Sequence, residues 1–204
     1  MSASPDYRRA ARMAYRALLA RQVKRLPIDP LPLLRACRDT RVYTDAEAIE
    51  ARLVPPEQIR SMFMEADAVT WRFPSENQVR YIIIYRPAGN PARLRFTLAH
   101  ELGHRLLGHT GSTWAEEQEA DCFASHLLCP EPVLRRLTAR YGALPPEELA
   151  AVFYVSRACG GMLRSRRMPE IEPALMADVD ALLWEAADQQ NLLLPHRSTP
   201  KMPE

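Results

Sequence analysis

The sequence predicts an α+β chain, mainly helical, with a small antiparallel sheet near its middle. Three observations carry this expectation. Two runs rich in β-branched and aromatic residues, Ala68-Val-Thr-Trp-Arg-Phe73 and Val79-Arg-Tyr-Ile-Ile-Ile-Tyr85, flank Pro74-Ser-Glu-Asn-Gln, which reads as a turn, so they form a hairpin. Most of the rest consists of segments rich in helix formers and punctuated by proline and glycine. The composition, 47% hydrophobic and 25% charged over 204 residues, is that of a globular chain large enough for one domain, or for a core with a small appendage.

Taken in order, residues from Pro5 to Lys24 form a helix rich in Ala, Leu and Arg, broken by Pro27, Pro30 and Pro32. Leu33 to Arg38 makes a short helix and Arg41-Val42-Tyr43 is extended. Asp45 to Leu53 and Glu57 to Asp67 are two more helices, the second opened by Pro55-Pro56. After the hairpin, Asn90-Pro91 starts a helix from Ala92 to His109, with Gly108 and Gly111 at its end as a C-terminal cap. Trp114 to Leu128 is the next helix, closed by Cys129-Pro130, followed by Glu131 to Tyr141. Glu147 to Arg167 reads as two helices meeting near Tyr154-Val155-Ser156, and a last helix runs from Ile171 to Gln190. The end of the chain, with three prolines and few apolar residues, is expected to be disordered.

Charge and cysteine usage narrow the setting. No apolar run approaches the roughly 20 residues that cross a bilayer, and the arginine-rich N-terminus has no signal-peptide core, so a cytoplasmic protein is expected. Cys37, Cys122, Cys129 and Cys159 form no C-x-x-C pair and read as free thiols. The net charge is +2, but the first 25 residues carry Arg8, Arg9, Arg12, Arg16, Arg21, Lys24 and Arg25 against Asp6, whereas Glu170 to Asp188 is acidic. Arg8, Arg12 and Arg16 line one helical face, read as solvated, with nucleic-acid or partner contact as the alternative.

The chemistry lies in His100-Glu101-Leu102-Gly103-His104. At about 100° per residue, His100 and His104 stand one above the other on one face, where two imidazoles can bind one Zn²⁺. Glu101, one step round, is placed to take a proton from water at the metal. A catalytic zinc site needs a third ligand, and the next helix offers Glu116, Glu117 and Glu119. Glu117 shares a face with Ala120, Asp121 and Ala124, so helical phase favours Glu117 as ligand and Asp121 as the carboxylate that orients a ligating histidine; Glu116 and Glu119 are the alternatives. His126 falls on the opposite face of that helix and is left out of the site. Tyr141, Tyr154 and His109 are the candidates for a further oxyanion donor, none of them carried by a motif.

These residues, His100-Glu-Leu-Gly-His104 with Glu117-x-x-Ala120-Asp121-x-Phe123-Ala124-x-x-Leu127-Leu128-x-Pro130, resemble the ImmA/IrrE family of metallopeptidases, and Arg95-Phe96-Thr97-Leu98-Ala99 before them is also similar. Leu149-Ala-x-x-Phe153-x-Val155-Ser156 looks like the helix-turn-helix-like segment that follows the core in that family. The resemblance implies a zincin-like core and a zinc-dependent endopeptidase whose protein substrate is a helix-turn-helix transcriptional repressor of a mobile element or stress response. The expected division is an N-terminal helical region over 1–67, the peptidase core over 68–141, a helical helix-turn-helix-like region over 142–191 and a tail over 192–204. A non-proteolytic regulatory or DNA-binding protein is the alternative, with Arg157, Arg164, Arg166 and Arg167 near phosphates. Gly160 and Gly161 inside the second helix weigh against DNA reading and favour a structural role for that segment.

Overall fold

The computed structural model describes residues 4–64, 66–75, 78–159 and 169–189. The first helix, α1 (Tyr7–Ala20), starts where the Asp6 side chain accepts the Arg9 N–H at 2.8 Å. Its Ala10, Ala11, Ala14, Tyr15 and Leu18 make one buried stripe, as a surface helix requires. Then come α2 (Leu31–Arg35), β1 (Thr40–Thr44), α3 (Asp45–Glu50), α4 (Pro56–Met62), β2 (Ala68–Ser75) and β3 (Gln78–Tyr85).

The two expected strands pair antiparallel, from Ala68 opposite Tyr85 to Ser75 opposite Gln78. The sheet itself is mixed, however, not purely antiparallel. Its order is β1-β3-β2, and β1 runs parallel to β3 with Thr40 opposite Tyr81 and Thr44 opposite Tyr85. A parallel neighbour arrives through a crossover, here α3, α4 and β2, so no local pattern announces it. Central placement explains the unbroken apolar run of β3. Ile83 and Tyr85 face the main core, while Ile84 joins Ala48, Val54, Ile59 and Phe63 in a second core on the other face.

The remaining helices are α5 (Pro91–Leu107), α6 (Trp114–Leu128), α7 (Glu131–Tyr141), α8 (Pro146–Phe153) and α9 (Pro173–Gln189). The Asn90 side chain caps α5 by accepting the N–H groups of Ala92 and Arg93, with Pro91 at the first helical position. Gly108, at φ +70°, ends α5 in the left-handed conformation that glycine adopts without strain. Helix α6 packs on α5 and is flanked by α1. Leu102, Phe123 and Leu127 in this layer are at most 1% exposed, each contributing about 1.5–3 kcal/mol by burial.

The apolar residues of the helix-turn-helix-like segment, Leu149, Val152, Phe153 and Val155, are buried in the main core. Tyr154 takes the left-handed conformation at the end of α8. Arg95 of α5 donates to the carbonyls of Phe153 (3.1 Å), Tyr154 and Ile28, and lies over the Tyr154 ring. Gly160, Gly161, Arg164, Arg166, Arg167 and the expected disordered tail over 192–204 lie outside the described residues. No described helix is long and apolar enough to cross a membrane.

Candidate metal centre

The two helices meet at the one place where a side chain is missing. A Cβ on Gly103 would lie 3.1 Å from Cδ1 and 3.2 Å from Cβ of Phe123, and 3.2 Å from Cα of Ala120. With glycine there and Ala120 facing it, α5 and α6 approach closely enough for their polar side chains to converge on either side.

Nε2 of His100 and Nε2 of His104 are 2.9 Å apart. Glu117 reaches both, with one oxygen 3.3 Å from His100 Nε2 and the other 3.5 Å from His104 Nε2. One atom from each of the three residues falls within a common 4.8 Å group. Two nitrogens bound tetrahedrally to one zinc at about 2.0–2.1 Å lie about 3.3 Å apart, which the three separations bracket. His100, His104 and Glu117 therefore have the donor chemistry and spacing to hold a divalent metal.

The other two glutamates of α6 are engaged elsewhere. Glu116 closes a capping box with Thr113: it accepts the Thr113 N–H at 3.0 Å and hydroxyl at 2.8 Å, and the Thr110 N–H at 3.1 Å. The bonds from Thr113, then those from Thr110 and Gly111, pull its carboxyl down to about 2. Glu119 is buried on another side of α6, where it accepts the Asp6 N–H at 2.9 Å and meets His109 Nε2 at 3.1 Å.

Asp121 meets His100 Nδ1 at 2.8 Å. Burial pushes the His100 pKa down, but the hydrogen bond and charge of Asp121, joined by Glu101 and Glu117, outweigh it and raise the value. Burial and the neighbouring His100 push His104 down to about 4, so His104 is neutral near pH 7, the form that binds a metal. Among the described residues, His104 meets no carboxylate through its inner nitrogen. Its Nδ1 lies 3.0 Å from Nδ1 of His109.

Glu101 lies beside this group and under β2, where its Oε2 accepts the Thr70 hydroxyl at 2.7 Å. Burial raises its pKa, partly offset by that hydrogen bond and the nearby His100. A cleft of about 330 Å³ opens next to His100 and Glu101, lined by Ala66, Asp67, Ala68, Arg93, Phe96 and Thr97. Arg93 grips Asp67 with two hydrogen bonds of 2.5 and 2.7 Å at its edge.

Among known proteins, the family model described as Peptidase_M78, IrrE N-terminal-like domain, matches residues 49–159, more than half of the chain. The chain belongs to the Peptidase_M78 family. A curated relative, the "Radiation response metalloprotease IrrE" of Deinococcus radiodurans, is 31% identical over 86 residues, a match covering 35% of this chain and 26% of that protein. The chain thus spans about a quarter of that relative's length. The Peptidase_M78 match begins in α3 and ends at Cys159, so α1, α2 and β1 precede it.

The expected residues converge as the helical phase requires, and His126 stays out, buried 2.9 Å from the Tyr15 hydroxyl. His109 is not placed to donate to an oxyanion, because both its ring nitrogens face His104 and Glu119. Sequence reasoning did not place Thr70 or Gly103 at the site, nor His109 and Glu119 in contact behind His104. A local signal existed for His109, since a residue just past a C-terminal glycine returns its N–H to the last turn, and here the His109 N–H bonds the His104 carbonyl at 3.0 Å. The basic face of α1 is partly used within the protein, Arg12 pairing with Glu172 at 3.0 Å, and Arg157 pairs with Glu147 at 2.6 Å.

Proposed function

We propose that this protein is a zinc-dependent endopeptidase that cleaves a protein substrate, with Glu101 as general base and His100, His104 and Glu117 as metal ligands. The observation that carries the reading is the convergence of three ligand atoms beside a half-buried carboxylate that opens onto a cleft. Zinc held there would supply Lewis acidity toward water and a peptide carbonyl. Glu101 accepts a proton from the attacking water as its oxygen bonds the carbonyl carbon. The same carboxyl then passes the proton to the amine as the C–N bond breaks. Its raised pKa suits both steps, because a base that must return its proton works best when its pKa lies near the working pH. Asp121 holds the His100 ring with Nδ1–H toward the carboxylate and Nε2 toward the metal.

The substrate is an extended segment of a protein. Strand β2 carries Thr70 at the site and forms one edge of the sheet, so its outer side has no strand partner among the described residues. A peptide can pair there in extended form while its side chains enter the cleft. A relative that is a radiation-response metalloprotease favours a regulatory substrate, and the resemblance to the ImmA/IrrE family makes a helix-turn-helix transcriptional repressor the candidate. The burial of Leu149, Phe153 and Val155 supports a packing role for the segment after the core.

The test incubates the zinc-loaded protein with repressors encoded near its gene, comparing wild type with Glu101→Gln. The expected result is a discrete cut by wild type and a loss of at least about 10²-fold in the variant, which still binds zinc. Equal cutting by the two proteins would remove Glu101 from the mechanism. Zinc binding without any cut would favour the non-proteolytic reading.

A further inference from the structure

Two buried titratable side chains that this mechanism does not use, His109 and Glu119, line up behind His104. His109 and Glu119 are each 8% exposed. Nδ1 of His109 is 3.0 Å from Nδ1 of His104, and its Nε2 is 3.1 Å from a Glu119 oxygen. Glu119 also accepts the Asp6 N–H at 2.9 Å and meets Arg9 at 3.4 Å. Arg9 is itself anchored on the Leu107 carbonyl, at the end of α5.

Hydrogen-bond roles along this chain follow from its far end for a His109 ring that carries one proton. Both Glu119 oxygens already face obligate donors, the Asp6 N–H and the Arg9 guanidinium, so they act as acceptors and the proton in the contact with His109 lies on its Nε2. A neutral imidazole carries one proton, which leaves His109 Nδ1 as an acceptor. The 3.0 Å contact between the two Nδ1 atoms then requires the proton on His104 Nδ1. His104 is thereby left with its lone pair on Nε2, the atom that faces His100 Nε2 and Glu117.

We infer that His109 and Glu119 are positioning residues that set the tautomer and ring orientation of His104, with Arg9 and the Asp6 backbone N–H of the N-terminal helix holding the far end of the relay. His100 reaches the same state through a carboxylate in direct contact, whereas His104 reaches it through a second imidazole. The inference rests on the proposed metal centre. It adds that α1, outside the stretch matched by the family model, takes part in holding that centre.

The experiment measures zinc affinity by chelator competition near pH 7 for wild type, His109→Phe, His109→Gln and His104→Ala. Long-range ¹⁵N–¹H NMR of zinc-loaded wild type reads the proton positions. The expected NMR result is a proton on Nδ1 of His104 and on Nε2 of His109. His109→Phe keeps the bulk but loses both hydrogen bonds, and is expected to weaken zinc binding by about 10–100-fold. His109→Gln retains an acceptor and a donor and should recover most of that loss. A proton on Nδ1 of His109 with its Nε2 bare overturns the inference, as does zinc affinity in a folded His109→Phe equal to wild type. Should either variant fail to fold, the NMR reading of wild type decides. Zinc affinity in His104→Ala equal to wild type would instead reject the metal centre itself, and the relay with it.

Discussion

Substituting Gly103 by alanine tests whether the helix–helix approach sets the dimensions of the metal centre. The added methyl would sit 3.1 to 3.2 Å from Phe123 and from the backbone of Ala120, where carbon atoms pack best at about 3.5–4.0 Å. Phe123 and Ala120 are fully buried, so neither can swing into solvent to make room. The helices must therefore part by a few tenths of an ångström. Two effects on stability oppose each other: alanine is favoured over glycine in a helix by about 1 kcal/mol, and overpacking a core costs about 1–3 kcal/mol. The net expectation is a metal-free protein destabilised by about 0–2 kcal/mol.

The metal centre should lose more. Gly103 adjoins His104, and Ala120 lies between Glu117 and Asp121, so parting the helices moves the His100 and His104 nitrogens away from the Glu117 carboxylate. Metal–ligand distances tolerate only about 0.2 Å. Zinc affinity is expected to fall by about tenfold or more, read by chelator competition, alongside urea denaturation of the metal-free protein. Unchanged affinity together with a metal-free protein stabilised by about 1 kcal/mol would show that helix propensity alone is at work, and the close-approach argument would be wrong.

Two further substitutions probe the surroundings. Thr70→Val removes the hydroxyl whose hydrogen bond favours ionised Glu101, while burial, the larger influence, continues to raise the pKa. The pKa of Glu101 should rise further, so the acid limb of the cleavage pH profile should move to higher pH, with a greater rate loss on that limb than on the plateau; an acid limb that stays put or moves down contradicts this. Arg95→Met keeps a long apolar stem but leaves the carbonyls of Ile28, Phe153 and Tyr154 without the guanidinium, and should lower stability by about 2–3 kcal/mol in urea titrations. A loss under about 0.5 kcal/mol would mean that water replaces those bonds.

The candidate site was legible in the sequence wherever one helix supplied the geometry. The stacking of His100 over His104, the position of Glu101 beside them, and the shared face of Glu117 and Asp121 follow from 3.6 residues per turn. The ends of α5 were equally readable, because Asn90-Pro91 and Gly108 act through backbone conformations of their own. Thr113-x-x-Glu116 was a readable signal too, since a capping box lies within four residues, and it removes Glu116 from the choice of ligands.

Tertiary structure decided what depends on residues far apart in the chain. The parallel pairing of β1 with β3 spans α3, α4 and β2, and a five-residue strand does not declare its neighbour. Thr70 reaches Glu101 only because β2 packs against α5, and Glu119 meets Asp6 and Arg9 only because α1 lies on α6. Composition and periodicity place a side chain on a face; they do not say what will stand opposite. For His100 and His104, the sequence by itself determined which two nitrogens could share a metal. Only the packed structure determined which groups hold their protons in place, because hydrogen-bond roles propagate through contacts that local pattern does not contain.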